Sequence, residues 1–572
     1  MKKIAIIPID NRPVCYTLIE QIAKIDDSLK LFLPERNLLG GLNFEANVDG
    51  ILNWLEKLED VDAIIISLDT IAYGGLISSR RCESSLDEIK NRLDKIKEIL
   101  MEKCTRIYAF SSIMRISNNN VNEEEKEYWS QWGKKIFEHS YDFHKETGNS
   151  EQKTKASAHS SLLTTHSVIP QEILEDYLET RERNFKVNKI YLDWLRDGVL
   201  DTLVFSKDDC AEFGLNVIEA KELEKIIKEK KLPAFVKTGA DEIPLTLFAR
   251  AISELNRPLL VSPLFLAPKH KDLISNYEDI SIEKSVNAQL ELSGCEIAGD
   301  KMADVILIVN NFEEKQGEIV MGVNTKPFSS NLKLPEKKFM VADVRFANGA
   351  DDEFLAKLMG QGLDFEKLYG YSAWNTSANT LGSLICACVV RFFAEKYNEK
   401  AFKELQLVRF LDDWAYQAKV RQALKKLSKE PNLFHLRTLM LAFENQLKEH
   451  IKMNFKVDYN FPWGRFFEIE VTVCESKQVG PGTHETAVFD NSKIEYSKEA
   501  RPNKKTTKKE IFVKTKLNKK KKIEPPQNQE TSENEEQKPD GYPYNNEGKE
   551  IDAALGLLFE ETKSDKTKWP QD

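Results

Sequence analysis

Apolar runs that end in polar or acidic residues recur along the chain. They cover 4–9, 30–33, 62–68, 105–111, 200–206, 233–238, 258–263, 303–309, 338–342 and 367–372. Many are rich in Val and Ile and lack strict alternation, which suits strands buried on both faces of a parallel sheet. Helical periodicity fills the intervals 84–101, 121–145, 169–185, 217–230 and 243–255. This alternation predicts an α/β protein. The first eight runs fit two architectures, a (β/α)₈-type barrel or an open doubly wound parallel sheet, and periodicity does not choose between them. The expected organisation is an α/β catalytic domain over 1–299, a smaller α/β unit over 300–395 and a helical C-terminal part of the core over 396–475.

Composition narrows the function classes. The chain has 572 residues, 41% of them hydrophobic and 30% charged, which is enough for more than one packed core. A net charge of −10 argues against general attraction to nucleic acid or an anionic membrane surface. No apolar run approaches the length needed to span a bilayer. The N-terminal run is broken by Pro8 and Asp10, so it predicts a first strand rather than a signal segment, and with it a cytoplasmic location. Oligomeric state is left open. The cysteines show no Cys-x-x-Cys spacing and read as reduced, mostly buried thiols. After Glu475 the composition shifts: residues 498–522 hold twelve Lys or Arg against two Glu, and an acidic block follows. Such a tail, 476–572, predicts disorder, with 551–559 a marginal helix.

The candidate chemistry lies where apolar runs stop. Asp10-Asn11-Arg12-Pro13 ends the first run, and Pro13 holds Arg12 extended so that its planar fork projects from the strand tip. Asp69 ends the third run, followed by Tyr73 and a Gly-Gly pair that admits close backbone approach. Arg115 follows the fourth run as a second cation. Asp208-Asp209 ends the fifth and is the sharpest signal, because adjacent like charges raise one pKa toward the range of a general acid. Asp241 and Glu242 follow the sixth run and offer a second acid, although carboxylates also suit a helix start there. Trp374, Asn375 and Asn379 combine a ring with amides, as carbohydrate sites do. Asp412-Asp413 sits in helical context and reads as helix-terminal. The histidines form no His-x-x-x-His or His-Glu-x-x-His, and neither a metal nor an organic cofactor is expected, save that Asp10, Asp69 and Asp208 could together hold Mg²⁺ or Ca²⁺.

Several of these strings occur in one order: Pro8-Ile-Asp10-Asn11-Arg12-Pro13, Ser67-Leu-Asp69 with Ala72-Tyr73-Gly74-Gly75, Asp208-Asp209 with Gly214, Gly239-Ala-Asp241-Glu242, and Ala373-Trp374-Asn375-Thr376-Ser-Ala-Asn379. Together they resemble a bacterial domain-of-unknown-function family, the one numbered 4127, over about 1–470. That resemblance implies no activity. A weaker similarity runs to retaining hexosaminidases of the O-GlcNAcase type, in which an Asp-Asp pair ends a barrel strand. It implies that Asp208 orients the substrate and Asp209 protonates the leaving group. The leading expectation is a hydrolase of a small glycoside or sugar derivative. The alternatives are a metal-assisted enzyme on a phosphorylated or carboxylated metabolite, and a non-catalytic sugar-binding protein.

Overall fold

The computed structural model describes residues 2–147, 168–208, 210–329 and 331–474. The expectations for the tail, for 551–559 and for Asp209 fall outside the described residues.

All ten apolar runs become strands, but of two sheets. The first holds β1 (Lys2–Ile7), β2 (Leu29–Phe32), β3 (Ala63–Ser67), β4 (Arg106–Ile113), β5 (Thr202–Lys207) and β6 (Ala234–Thr238), in the order β2-β1-β3-β4-β5-β6. The second holds β7 (Leu260–Phe265), the short β8 (Glu296–Ile297) and β9 (Val305–Asn310). A two-residue β10 (Gly317–Glu318) lies outside it, pairing with β12 (Phe346–Ala347), while β11 (Phe339–Asp343) and β13 (Leu368–Ser372) complete it. Its order is β13-β11-β9-β7-β8, and every pairing in both sheets is parallel. In each sheet the second strand lies outside the first and the later ones extend from its other side, the doubly wound arrangement.

The barrel alternative does not form. β1 already pairs with β2 on one edge and β3 on the other, so no eighth strand can close on it. The seventh run instead founds the second sheet, and the sheet change therefore comes between Thr238 and Leu260, inside the 1–299 span. Pairing of β7 with β8 stops at Val261, just before Pro263, which has no N–H to offer that neighbour.

Alternate side chains of the strands feed different cores. Ile4, Ile6, Ala63, Ile65, Tyr108 and Phe110 of the first sheet, and Val305, Leu307, Val309, Met340 and Ala342 of the second, share one cluster. It is filled by helices Ile243–Glu254 and Ser377–Phe392, which pack on each other between the sheets. Helix Ser377–Phe392 is apolar around nearly its whole circumference, as a helix buried on every side must be. Ala5, Ile7, Ile64 and Ile66 face the other way, under helices that include Leu86–Met101 and Gln171–Arg196. Ile306, Ile308 and Val341 face the helical segment 399–451. The layers therefore run helix–sheet–helix–sheet–helix. The expected helix over 169–185 extends to Arg196, and that over 121–145 begins only at Trp129. A final antiparallel hairpin, β14 (Lys456–Asn460) and β15 (Glu470–Cys474), carries the segment 461–469 between its strands.

Asp412-Asp413 does not end a helix. Both lie buried inside a continuous helical stretch, in a wide π-type turn over Phe410–Val420, where Arg409 pairs with each of them.

The central layer is tight at Gly382, where a Cβ would meet Glu242 Cγ at 2.4 Å and Thr246 Cγ2 at 2.9 Å. Gly382→Ala should therefore destabilise the protein by about 1–3 kcal/mol, against the roughly 1 kcal/mol that helix propensity alone would add. Chemical denaturation of the two proteins checks this, and a more stable variant would show that the two helices can move apart.

Candidate functional site

Because both sheets are parallel and their strand ends share one edge of the molecule, loops from both meet there. They enclose a cavity of about 200 Å³. The first sheet contributes Arg12, Arg115, Asp208 and Asp241, which follow β1, β4, β5 and β6. The second contributes Tyr277, Asn348, Asn375 and Thr376. Glu124, Leu76 and Phe467 complete the wall. The volume lies below the ~300–1,000 Å³ of typical drug-sized sites, which suits a small metabolite.

Arg12 is locked in place. Its backbone N–H donates to Asp10 Oδ1 at 3.0 Å, and its Nε donates to Asp10 Oδ2 at 2.9 Å. The two terminal nitrogens donate to Asp241, Nη1 to Oδ2 at 3.1 Å and Nη2 to Oδ1 at 2.5 Å. Trp463 lies against the guanidinium, 5.1 Å from its carbon to the ring centroid. Arg115 donates to Glu125 and Glu124, each at 2.9 Å, and to Asp208 Oδ2 at 3.3 Å. Glu124 also accepts from Arg465 at 2.8 Å. Around the cavity the guanidinium groups of Arg12, Arg80, Arg115 and Arg465 thus face Asp10, Asp208, Asp241, Glu123, Glu124, Glu125 and Glu468, four cations against seven carboxyl groups.

The carboxyl groups differ sharply in environment. Burial pushes Asp241 up to about 6; Arg12 opposes the rise, while Asp10 and Asp208 add to it. Glu468 is raised by burial to about 7, against the pull of Arg465 and Arg12. Burial would raise Glu124 as well, but Arg115, Arg80 and Arg465 overcome it and hold the group far below the ordinary carboxylate range.

The second sheet supplies strained backbone. Tyr277 (φ 67°), Asn348 (φ 60°) and Asn375 (φ 58°) are left-handed, and all three line this one cavity. Asparagine tolerates that region; tyrosine does so at a cost. The Asn348 N–H donates to the Asn375 carbonyl at 2.8 Å, which links the two loops. The N-terminus of helix Ser377–Phe392 comes to the same edge, but buried Glu278 already accepts from its Ala378 N–H at 2.8 Å. Burial lifts Glu278 to about 7, eased by hydrogen bonds from Ser285 and Ala378.

The structure thus gathers Arg12, Arg115, Asp208, Asp241 and Asn375 of the residues singled out in the sequence. It places the others elsewhere. Asp10 stands behind Arg12. Asn11 turns away, its Oδ1 accepting from Trp463 Nε1 at 2.7 Å. Asp69 is fully buried and fastens β4, accepting from Ser111 Oγ at 3.1 Å and Ser112 N–H at 2.8 Å. Tyr73 is buried within the outer core of the first sheet. Glu242 lies in the central helix layer, accepting from Ala240 N–H and Gln289 Nε2. Trp374 is 4% exposed and borders a separate void of about 20 Å³. Asn379 is buried at the first turn of its helix, where Thr376 caps its N–H. Asp10, Asp69 and Asp208 do not converge, and among the described residues no cluster of His, Cys, Asp or Glu is arranged to hold a metal ion. Other cavity residues were not singled out, among them Glu124, Tyr277 and Phe467. Glu124 belongs to an acidic triplet that faces Arg115, whereas Tyr277 and Phe467 sit in irregular segments with no local signal.

A family model described as "Protein of unknown function (DUF4127)" matches residues 4–472. No curated protein matches the chain.

Glu242 yields a clean test of the packing assignment. Burial raises it from 4.5 to about 8. Between those two values the unfolded chain loses this proton while the folded chain keeps it, so stability falls as pH rises across that window. Glu242→Gln should remove that part of the slope, on the order of a few kcal/mol. Urea unfolding at pH 5 and pH 8 checks it; an unchanged slope would assign the titration to another group.

Proposed function

We propose a function from the site itself, because the chain belongs to the DUF4127 family, whose description carries no activity. The cavity binds a small glycoside or sugar derivative and hydrolyses it, with Asp241 and Asp208 dividing the acid and base work. One observation carries the reading: two carboxyl groups in unlike surroundings line the same small polar cavity. Asp241 is buried against Arg12 and raised to about 6, while Asp208 is held in an ion pair with Arg115. Two acids in unlike surroundings are how one site can keep both a proton donor and a carboxylate. Asp241 is the general acid in this scheme, and Asp208 is the charged partner that activates water or stabilises positive charge at the sugar carbon. Asn348, Asn375 and Thr376 supply amide and hydroxyl groups suited to sugar hydroxyls.

A phosphorylated or carboxylated substrate has less support. The hydrogen-bonding faces of Arg12 are taken by Asp10 and Asp241, and those of Arg115 by Glu124, Glu125 and Asp208. The nearby helix N-terminus is filled by Glu278. A second anion would have to displace a carboxylate of the protein.

Aryl glycosides with good and poor leaving groups test the assignment. Asp241→Asn should cut turnover of poor leaving groups by about 10²–10⁴-fold and spare nitrophenolates. Asp208→Asn should reduce both. Because the acid must be protonated, kcat/KM of the wild type should fall as pH rises through about 6. Equal small effects of the two changes, or no turnover of any glycoside, would defeat the proposal.

A further inference from the structure

The loop after β7 holds an aromatic side chain at the cavity in a conformation that a tyrosine does not choose on its own. Tyr277 has φ 67°, is half-buried and lines the cavity. The residues around it are fastened on every side. Ser275 Oγ accepts from Ser377 Oγ at 2.8 Å. Glu278 accepts from Ala378 N–H at 2.8 Å and from Ser285 Oγ at 2.7 Å. Asp279 accepts from Lys207 Nζ at 2.6 Å and from Thr238 Oγ1 at 2.9 Å. The Tyr277 carbonyl itself accepts from Cys210 N–H at 3.1 Å, next to the Asp208 loop. These contacts tie the loop to the ends of β5 and β6 and to helix Ser377–Phe392, and so over-determine the backbone at Tyr277. Glycine or asparagine would satisfy the same turn without strain. What tyrosine adds at this cavity-lining position is a ring. Trp374 cannot serve in that role, since its nearly enclosed ring borders the other void.

We propose that Tyr277 is the ring platform of the site: it stacks on the C–H face of a pyranose whose hydroxyl groups meet Asp208, Asn348 and Asn375. A pyranose is amphipathic, with C–H groups on its faces and hydroxyls at its rim, and a flat ring beside polar groups matches that division. The assignment rests on the carbohydrate reading of the cavity and specifies how the sugar lies in it.

The test uses the full chain with methyl glycosides of glucose, galactose, mannose and N-acetylglucosamine as probes, read by calorimetry and by melting temperature. Tyr277→Phe keeps the ring and should bind within about threefold of wild type. Tyr277→Asn and Tyr277→Gly keep a backbone that accepts the left-handed region, so they should melt close to wild type while binding weakens by about tenfold or more. Saturation transfer from wild-type protein protonated only at its tyrosine rings should reach the C–H protons of one sugar face. If the wild type binds a probe and the Asn and Gly variants bind it equally well, the platform is wrong and the carbohydrate reading stands. Absence of tyrosine-to-sugar transfer in a bound probe overturns the platform even where the variants fail to fold. If the wild type binds no probe, both ideas fall together.

Discussion

The guanidinium of Arg12 is the interaction on which the site depends. It is 6% exposed, bonded to Asp10 at the end of β1 and to Asp241 at the start of helix Ile243–Glu254. A buried ion pair is not by itself a large source of stability, but leaving one partner alone is costly, about 3–5 kcal/mol. Arg12 therefore acts as a constraint more than as glue. It fixes where the chain crosses back from the edge strand β6 to the central layer, and hence where Asp241 meets the cavity. It also moderates the rise of Asp241, since burial without that cation would raise the carboxyl further. Through Trp463 the same side chain holds the C-terminal hairpin segment against the first sheet.

Perturbed acids alone would not have located this site. Asp343 is raised by burial to about 8, Asp413 to about 7 and Glu242 to about 8, yet none of them lines the cavity. Each completes an internal network. Asp343 accepts from Asn310 and the Asp351 N–H, and Asp413 accepts from Arg409 and the Ala373 N–H. A shifted pKa marks a functional group only when geometry also gives it a space to act in. The shared strand-end edge of the two sheets supplies that space, as doubly wound folds do at their carboxyl ends.

The same distinction explains what the sequence could and could not convey. Parallel strands buried on both faces announce themselves by Val- and Ile-rich runs, so all ten principal strands were legible. Their division between sheets was not, because the run at 258–263 resembles its predecessors and pairing is a long-range choice. Strand-end polarity pointed to Arg12, Arg115, Asp208, Asp241 and Asn375, which line one cavity. It also pointed to Asp69 and Glu242, because a polar residue that fastens the next strand or buttresses a helix leaves the same local trace as one that faces solvent. Trp374 misled for a related reason: an aromatic beside asparagines suggests a platform, and only tertiary packing shows that the side chain is buried. Tyr277 was invisible since its position depends on Glu278 and Asp279 finding partners on four separate elements.

Under the proposed reading, specificity comes from the neutral groups of the cavity. Arg12 and Arg115 cannot turn toward a ligand without abandoning carboxyl groups that would then be buried without that partner. The charged network is rigid for that reason and works as a mould. Within it, the loops of the second sheet present amides and rings in backbone conformations already paid for in the free protein. A ligand that matches them has little ordering left to impose, so its contacts are converted into affinity with small loss. The division follows the architecture: the first sheet contributes charged groups at its strand ends, and the second contributes the neutral, strained loops that line the same cavity.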